Sequence, residues 1–299
     1  IGAATTQIPG NTGTVLDADT FTSVFNQLQL FADSTTTQFD TNLDGTPGLN
    51  FGDRFSDNGT AFITDFLPPL GDDEGISFLS EITVAWEGLK GITTSDLHPI
   101  NAFGDVSQTI SYDPNNTVLN FYFHGDASGP NANFGSSVGA NDNTGFTDGQ
   151  KILEIQVTGG DGTNTFDQNG NFLSGSSILM GEVVFALEDF WWFDDGDTIP
   201  GTGLENDFNT LIGLPVPILL TANIDQNTDE VITDFSRTGA PGPDGFGDIL
   251  FDVHSTHDGS LDFAMAQVPT PQTFILLGLG LVLFPLFGRR ILTTSLSKN

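Results

Sequence analysis

Apolar residues in this chain come in short runs, and a cluster of Gly, Asn, Asp or Thr interrupts them after about every ten residues. The runs cover 61–66, 76–86, 108–112, 118–123, 152–157, 178–193, 216–224, 249–253 and 261–264. A chain cut this finely has little room for long amphipathic helices. Several runs alternate instead. In TVLNFYFHG, Leu119, Phe121 and Phe123 fall on one face, and Val118, Asn120, Tyr122 and His124 on the other. In KILEIQV, Leu153, Ile155 and Val157 oppose Ile152, Glu154 and Gln156. A period of two with one apolar face is the mark of antiparallel strands that cover a core on one side. The expected fold is therefore all-β, an antiparallel β-sandwich or jelly roll with long Asp/Gly-rich loops, followed by a short C-terminal hydrophobic helix. The stretch FTSVFNQLQLF (21–31) fits neither period cleanly. It reads as strand because β formers follow in STTTQF, 34–39.

No linker rich in Pro and Ser divides the body. The expected organisation is a loose lead-in over 1–16, one β-domain over 17–267 and a tail over 268–299. The chain holds 39 acidic and 7 basic residues, for a formal net charge of −32. All the acidic residues precede Pro269. Four basic residues against 39 acidic ones leave the first 268 residues at −35, while Arg289, Arg290 and Lys298 give the remainder +3. A body so negative is repelled by nucleic acid and attracts cations. With no cysteine, disulfides, thiolate metal sites and cysteine nucleophiles are excluded. A start at Ile1, without Met or a charged leader, reads as a mature form whose export signal has been removed.

Carboxylates gather in the turns. In DTNLDGTPGLNFGD (40–53), Asp40, Asn42, Asp44 and Thr46 alternate, with Gly45 inside the turn. Alternate oxygen donors that converge on one point, with a glycine for the sharp bend, are the first half of a calcium loop. Phe51 occupies the twelfth position, where a bidentate Glu is expected, and Asp53 two residues on can close a longer loop. Asp225, Asn227 and Asp229 repeat the spacing, with Glu230 in place of the glycine. Weaker clusters are DQNGN (167–171) and Asp194, Asp195 and Asp197. Bound Ca2+ would relieve the body's self-repulsion and tie its loops together; the competing reading is that Asp and Asn bond their own backbone in turns.

No HExxH or P-loop sequence is present. His254 and His257 are spaced i, i+3 on what reads as a strand entering an Asp-Gly turn, which points them to opposite faces. In FWWF (190–193) a strand would send one tryptophan inward and the other outward. Trp191 and Trp192 are therefore candidates either for packing or for contact with a glycan or partner. The expectation is a non-enzyme, with a glycan-binding module and a secreted hydrolase as the alternatives.

The tail, VPTPQTFILLGLGLVLFPLFGRR (268–290), joins a Pro-containing motif, a short apolar run and two arginines. The run 274–287 is shorter than the roughly 20 residues that span a bilayer as a helix. This arrangement closely resembles the PEP-CTERM sorting signal of bacterial exosortase substrates. Val268, Pro269, Thr270 and Pro271 form the motif, with Thr270 where the family usually has Glu, and Arg289 and Arg290 form the basic cluster. The body segments GDRFSDNGTAFITDFLPP (52–69), DDEG (72–75), FGSSVGANDNTGFTDG (134–149), QVTGGDGTNTFDQNGNFLSG (156–175), ANIDQNTD (222–229) and HDGSLDF (257–263) resemble members linked to floc and biofilm matrix. The resemblance implies export, transient membrane anchoring, C-terminal processing by an exosortase-type enzyme, and a place on the cell surface or in the extracellular matrix. The expected role is then a calcium-stabilised structural or adhesive protein. It would contact matrix polysaccharide or associate with itself through exposed strand edges and a Phe-rich surface.

Overall fold

The polar stretches that punctuate the sequence do not all break its strands, and several are absorbed into long ones. The computed structural model describes residues 4–6, 27–41, 43, 50–67, 81–114, 117–124, 145–147, 149–168, 172–193, 206–212, 218–224, 231–234, 239–243 and 246–265. The chain divides into two compact units, Ile1–Met265 and Ala266–Asn299, and every described residue belongs to the first. The expected C-terminal helix lies outside the described residues.

The strands are β1 (Ala4–Thr6), β2 (Gln27–Asp40), β3 (Arg54–Leu67), β4 (Glu81–Thr93), β5 (His98–Pro99), β6 (Val106–Tyr112), β7 (Val118–His124), β8 (Gln150–Phe166), β9 (Phe172–Ala186), β10 (Trp191–Phe193), β11 (Asn206–Asp207), β12 (Ile218–Ile224), β13 (Val231–Asp234) and β14 (Asp248–Met265). A 3-10 turn, Phe208–Leu211, follows β11. Part of the N-terminal stretch expected to be loose is ordered, because β1 pairs with β10.

All pairings are antiparallel, as the alternation predicted. The main sheet runs β3-β2-β14-β12-β9-β8-β7-β4, and β4 pairs back onto β3. The path therefore closes into a ring of eight strands, each bonded to the next ring strand in sequence, with β14 meeting β2. The opposed walls pack as the two sheets of a sandwich do, but hydrogen bonds connect them all the way round. Closure at eight strands leaves an interior just wide enough for side chains to fill. Among the described residues, β5 and β13 each pair on one side only, with β6 and β14, and so carry edges outside the ring.

Between β4 and β8 one position is shared by two strands. β7 pairs with Glu81–Trp86 and β6 with Gly91–Thr93 of β4. The link between them is pinned on both sides: Asp113 N–H donates to Lys90 O, Thr117 Oγ1 to Gly88 O, and Val157 N–H to Thr117 O. β13 likewise pairs with β14, at His254–Asp252, beyond the Met265–Leu261 segment that β12 occupies.

The inward residues follow the predicted alternation in β7, where Leu119, Phe121 and Phe123 are buried. In β8 the pattern breaks at Ile152, expected to face outward yet fully buried like Leu153. Phe121 pairs with Leu153 and Tyr122 with Lys151, so Ile152 is the extra residue of a bulge, and the face assignment shifts there. One buried cluster joins the inner residues of the ring to Phe190, Trp191 and Phe208. These last residues follow β9 and β11, and Phe190 packs edge-on against Phe123 at 5.3 Å. They sit where β7 and β9 end and β4 and β8 begin, and so cap that end with apolar rings.

Candidate functional site

At the opposite end, β2 stops at Asp40 and β3 starts at Arg54, and the acidic segment 40–53 connects them. Of the proposed calcium ligands, Asp40 and Asp53 are described; Asn42, Asp44, Thr46, Asp225, Asn227 and Asp229 lie outside the described residues. Asp40 and Asp53 flank the loop one step beyond the last ladder pair, Phe39 with Arg54. Both are buried, Asp53 to 1% exposure. Across from Asp53 stands Thr93, whose N–H donates to Asp53 O at 2.8 Å. On the other side, Asp40 is in register with Asp248 of β14. Asp248, Asp40, Asp53 and Thr93 thus occupy one row across four neighbouring strands. Like charges at adjacent cross-strand positions repel, so such a row needs donors or cations around it.

Backbone supplies some of those donors. Asp53 Oδ2 accepts the Asn50 N–H at 2.8 Å, and Oδ1 accepts the Thr41 N–H at 3.2 Å. Thr41 Oγ1 donates to Phe246 O and accepts the Arg54 N–H. Asp53 thus ties the two ends of this segment together through the main chain, as in an Asx turn. Thr93 Oγ1 is buried without a hydrogen-bond partner. Among the described residues, no group of three or more His, Asp or Glu is gathered closely enough to hold a metal ion.

Two basic side chains also lie at this end. Arg54 and Lys90 both lie over the ring of Phe246, at 5.1 and 5.5 Å from its centroid. Arg54 Nη1 also meets Asp113 Oδ2 at 2.6 Å. Phe246 packs with Phe39 and Ile249 in a small cluster separate from the main core. Two of the four basic residues of the acidic body are thus spent on one aromatic ring, and the sequence offered no signal for it, because Arg54, Lys90 and Phe246 are far apart in the chain.

The two tryptophans differ in burial. Trp191 is fully buried, 5.4 Å from the Phe190 ring and 6.1 Å from that of Phe208. It is a core residue, and contact with a glycan is not open to it. Trp192 is half-buried, between Thr5 of β1 and Asp207 of β11. His254 lies beside Asp33, Nε2 to Oδ1, at 2.7 Å. The Asp-Gly turn expected after it does not form: Asp258 and Gly259 are mid-strand, paired with Phe31 and Leu30. The sorting-signal residues Val268, Pro269, Thr270, Pro271, Arg289 and Arg290 lie outside the described residues, as do Asp194, Asp195 and Asp197. Comparisons with family models, curated proteins and solved structures return no match.

Proposed function

We propose that this chain is an exported bacterial surface or matrix protein, structural or adhesive in role, whose barrel is locked by calcium at the loop end. In this reading residues 268–290 deliver it and hold it temporarily at the membrane until an exosortase-type enzyme processes it. The carrying observation is the row Asp248–Asp40–Asp53, which sets carboxylates in adjacent register on three strands of a body at −35. A divalent cation bound by oxygen ligands of the 40–53 loop would offset that repulsion and tie β2 to β3 where the loop begins. Asn42, Asp44 and Thr46 of the same loop supply further oxygens. The closed ring suits such a role, since it is stiff and presents loops at one end.

Thermal melting of the full chain with excess Ca2+ and with EGTA tests the calcium lock. The expected result is a melting temperature several degrees lower in EGTA, restored by Ca2+ and poorly by Mg2+, which keeps its waters. An unchanged melting temperature rejects the lock. Delivery is tested separately by the intact mass of the protein outside the cell, with cleavage near Pro269–Pro271 expected.

A further inference from the structure

Side chains on the inner face of a closed ring are expected to be buried, and one layer of this ring is not. Strand register places Thr36 of β2, Asp57 of β3, Trp86 of β4 and Tyr112 of β6 inward, on the faces that carry the buried Ala32, Ala61, Val84 and Ile110. All four remain half-buried. The layers on either side are closed. Toward the capped end, Ala32 and Ala61 are each 1% exposed; toward the loop end, Phe55 is 6% and Thr93 1% exposed. Exposure held between two buried layers marks an internal chamber, and an eight-stranded ring has room for one small ligand.

The chamber wall mixes aromatic rings with acceptors. Trp86 and Thr36 donate to the two oxygens of Asp57, at 2.5 and 2.6 Å. Across the ring, Tyr112 meets Ser177 Oγ at 2.8 Å, with Phe55 edge-on to its ring at 5.6 Å. Burial is the main reason the Tyr112 phenol titrates high, and the Asp57 charge adds to it, so the two groups border one space. Two residues beyond Thr36 on the same face, Gln38 is 7% exposed, and its Oε1 has no hydrogen-bond partner. A buried acceptor that no donor meets is costly. Among the described residues of the half-buried layer, Asp57 is the one charged group.

We propose that the chamber binds a small organic cation with N–H donors, a primary ammonium. Its charge faces Asp57, its N–H groups meet the oxygens of Asp57 and Gln38, and its apolar end lies among the rings of Trp86, Tyr112 and Phe55. An anion is repelled by Asp57 and by a body at −35, and a hydrocarbon leaves Gln38 Oε1 unmet. The wall offers a way in beside the chamber. β7 pairs with β4 as far as Trp86 and β6 only from Gly91, so the ladder on that side of β4 is interrupted between them. The inference is independent of the calcium lock and of delivery.

The Trp86 indole N–H, bonded to Asp57, serves as a local reporter. The isotope-labelled full chain is titrated with ethylammonium chloride and followed by NMR, with Trp86→Phe to assign the signal. A saturable shift is expected at Trp86 and not at Trp191, which lies in the capping cluster. It should persist at high NaCl, which screens cations gathered on the outer surface, and be the same in Ca2+ and in EGTA. Asp57→Asn should weaken binding about tenfold or more. Gln38→Met keeps the size and removes the unmet acceptor, so it should fold as the parent does and bind several-fold more weakly. Glu87→Gln removes an exposed charge next to Trp86 and should leave binding unchanged. No shift, an equal response to ethanol or acetate, equal losses in Glu87→Gln and Asp57→Asn, or unaltered binding by Gln38→Met overturns the proposal.

Discussion

Trp86 donates its indole N–H to Asp57 Oδ2 at 2.5 Å, from one ring strand to the next. The other carboxylate oxygen accepts Thr36 Oγ1 at 2.6 Å, so one acidic side chain holds β2, β3 and β4 together. Trp86→Phe removes one donor from a partly buried carboxylate, and a loss of about 1–3 kcal/mol is expected. Urea unfolding of Trp86→Phe and Asp57→Asn, singly and together, checks this. The double variant should lose less than the sum of the two singles, and strict additivity would show that the bond contributes nothing of its own.

Trp86 also dictates a glycine. A Cβ on Gly59 would lie 2.3 Å from the indole ring and 2.7 Å from Ser34 Cβ. Gly59→Ala should therefore destabilise by about 1–3 kcal/mol through overpacking. In a Trp86→Phe background the penalty should shrink, because the offending ring edge is gone. A penalty of the same size in both backgrounds would place the clash elsewhere.

How much of this was legible in the sequence depends on what each residue answers to. Leu119, Phe121 and Phe123 answer to local alternation and were readable. Ile152 answers to a bulge set by the partner strand, and alternation alone put it on the wrong face. The run 178–193 reads as one apolar segment, but the chain turns at 187–190 so that Phe190 and Trp191 can cap the barrel. The segment 254–260 reads as polar turn, yet β14 passes through it because β2 supplies an unbroken ladder from Ser34 to Leu30 and beyond. Ring closure was invisible for the same reason. It is a pairing between β14 and β2, which lie at opposite ends of the body sequence. In the acidic loop the residue types pointed to the place, but the main-chain closure by Asp53 is a matter of geometry.

That closure gives a third prediction. In Asp53→Asn the amide nitrogen cannot accept, so either the Thr41 or the Asn50 N–H loses its acceptor. A cost of about 1–3 kcal/mol and faster hydrogen exchange at that amide are expected. The exchange change should appear in EGTA as well as in Ca2+, because the bonds involve no cation. Unaltered protection at both amides would remove Asp53 as the closing residue.

The two adjacent tryptophans should behave differently. Trp191→Ala empties a fully enclosed site among Phe190 and Phe208 and should cost about 3–5 kcal/mol. Trp192→Ala removes a half-buried ring and should cost distinctly less. Comparable losses would mean that the small β1-β10-β11 sheet, and not the capped end of the ring, is what Trp191 supports.

The last prediction concerns alkaline pH. Burial pushes the Tyr112 phenol up from 10.0 to about 12; its hydrogen bond with Ser177 acts against this and the nearby Asp57 charge adds to it. The phenol sits 2.8 Å from Ser177 Oγ, with the Phe55 ring edge-on at 5.6 Å. The folded state therefore holds its proton where the unfolded chain has lost it. Because the folded value is the higher one, the full contribution is present below pH 10. It is lost as pH rises toward 12, since the unfolded state binds fewer protons across that window. Two units correspond to about 2–3 kcal/mol. Tyr112→Phe keeps the ring and removes the titrating group, so its stability should fall less steeply between pH 10 and 12 than that of the unsubstituted chain. Urea midpoints for both, taken across that range in a Tyr122→Phe background, isolate the effect. Parallel curves would mean that Tyr112 ionises as easily folded as unfolded, and that the wall around Ser177 admits water.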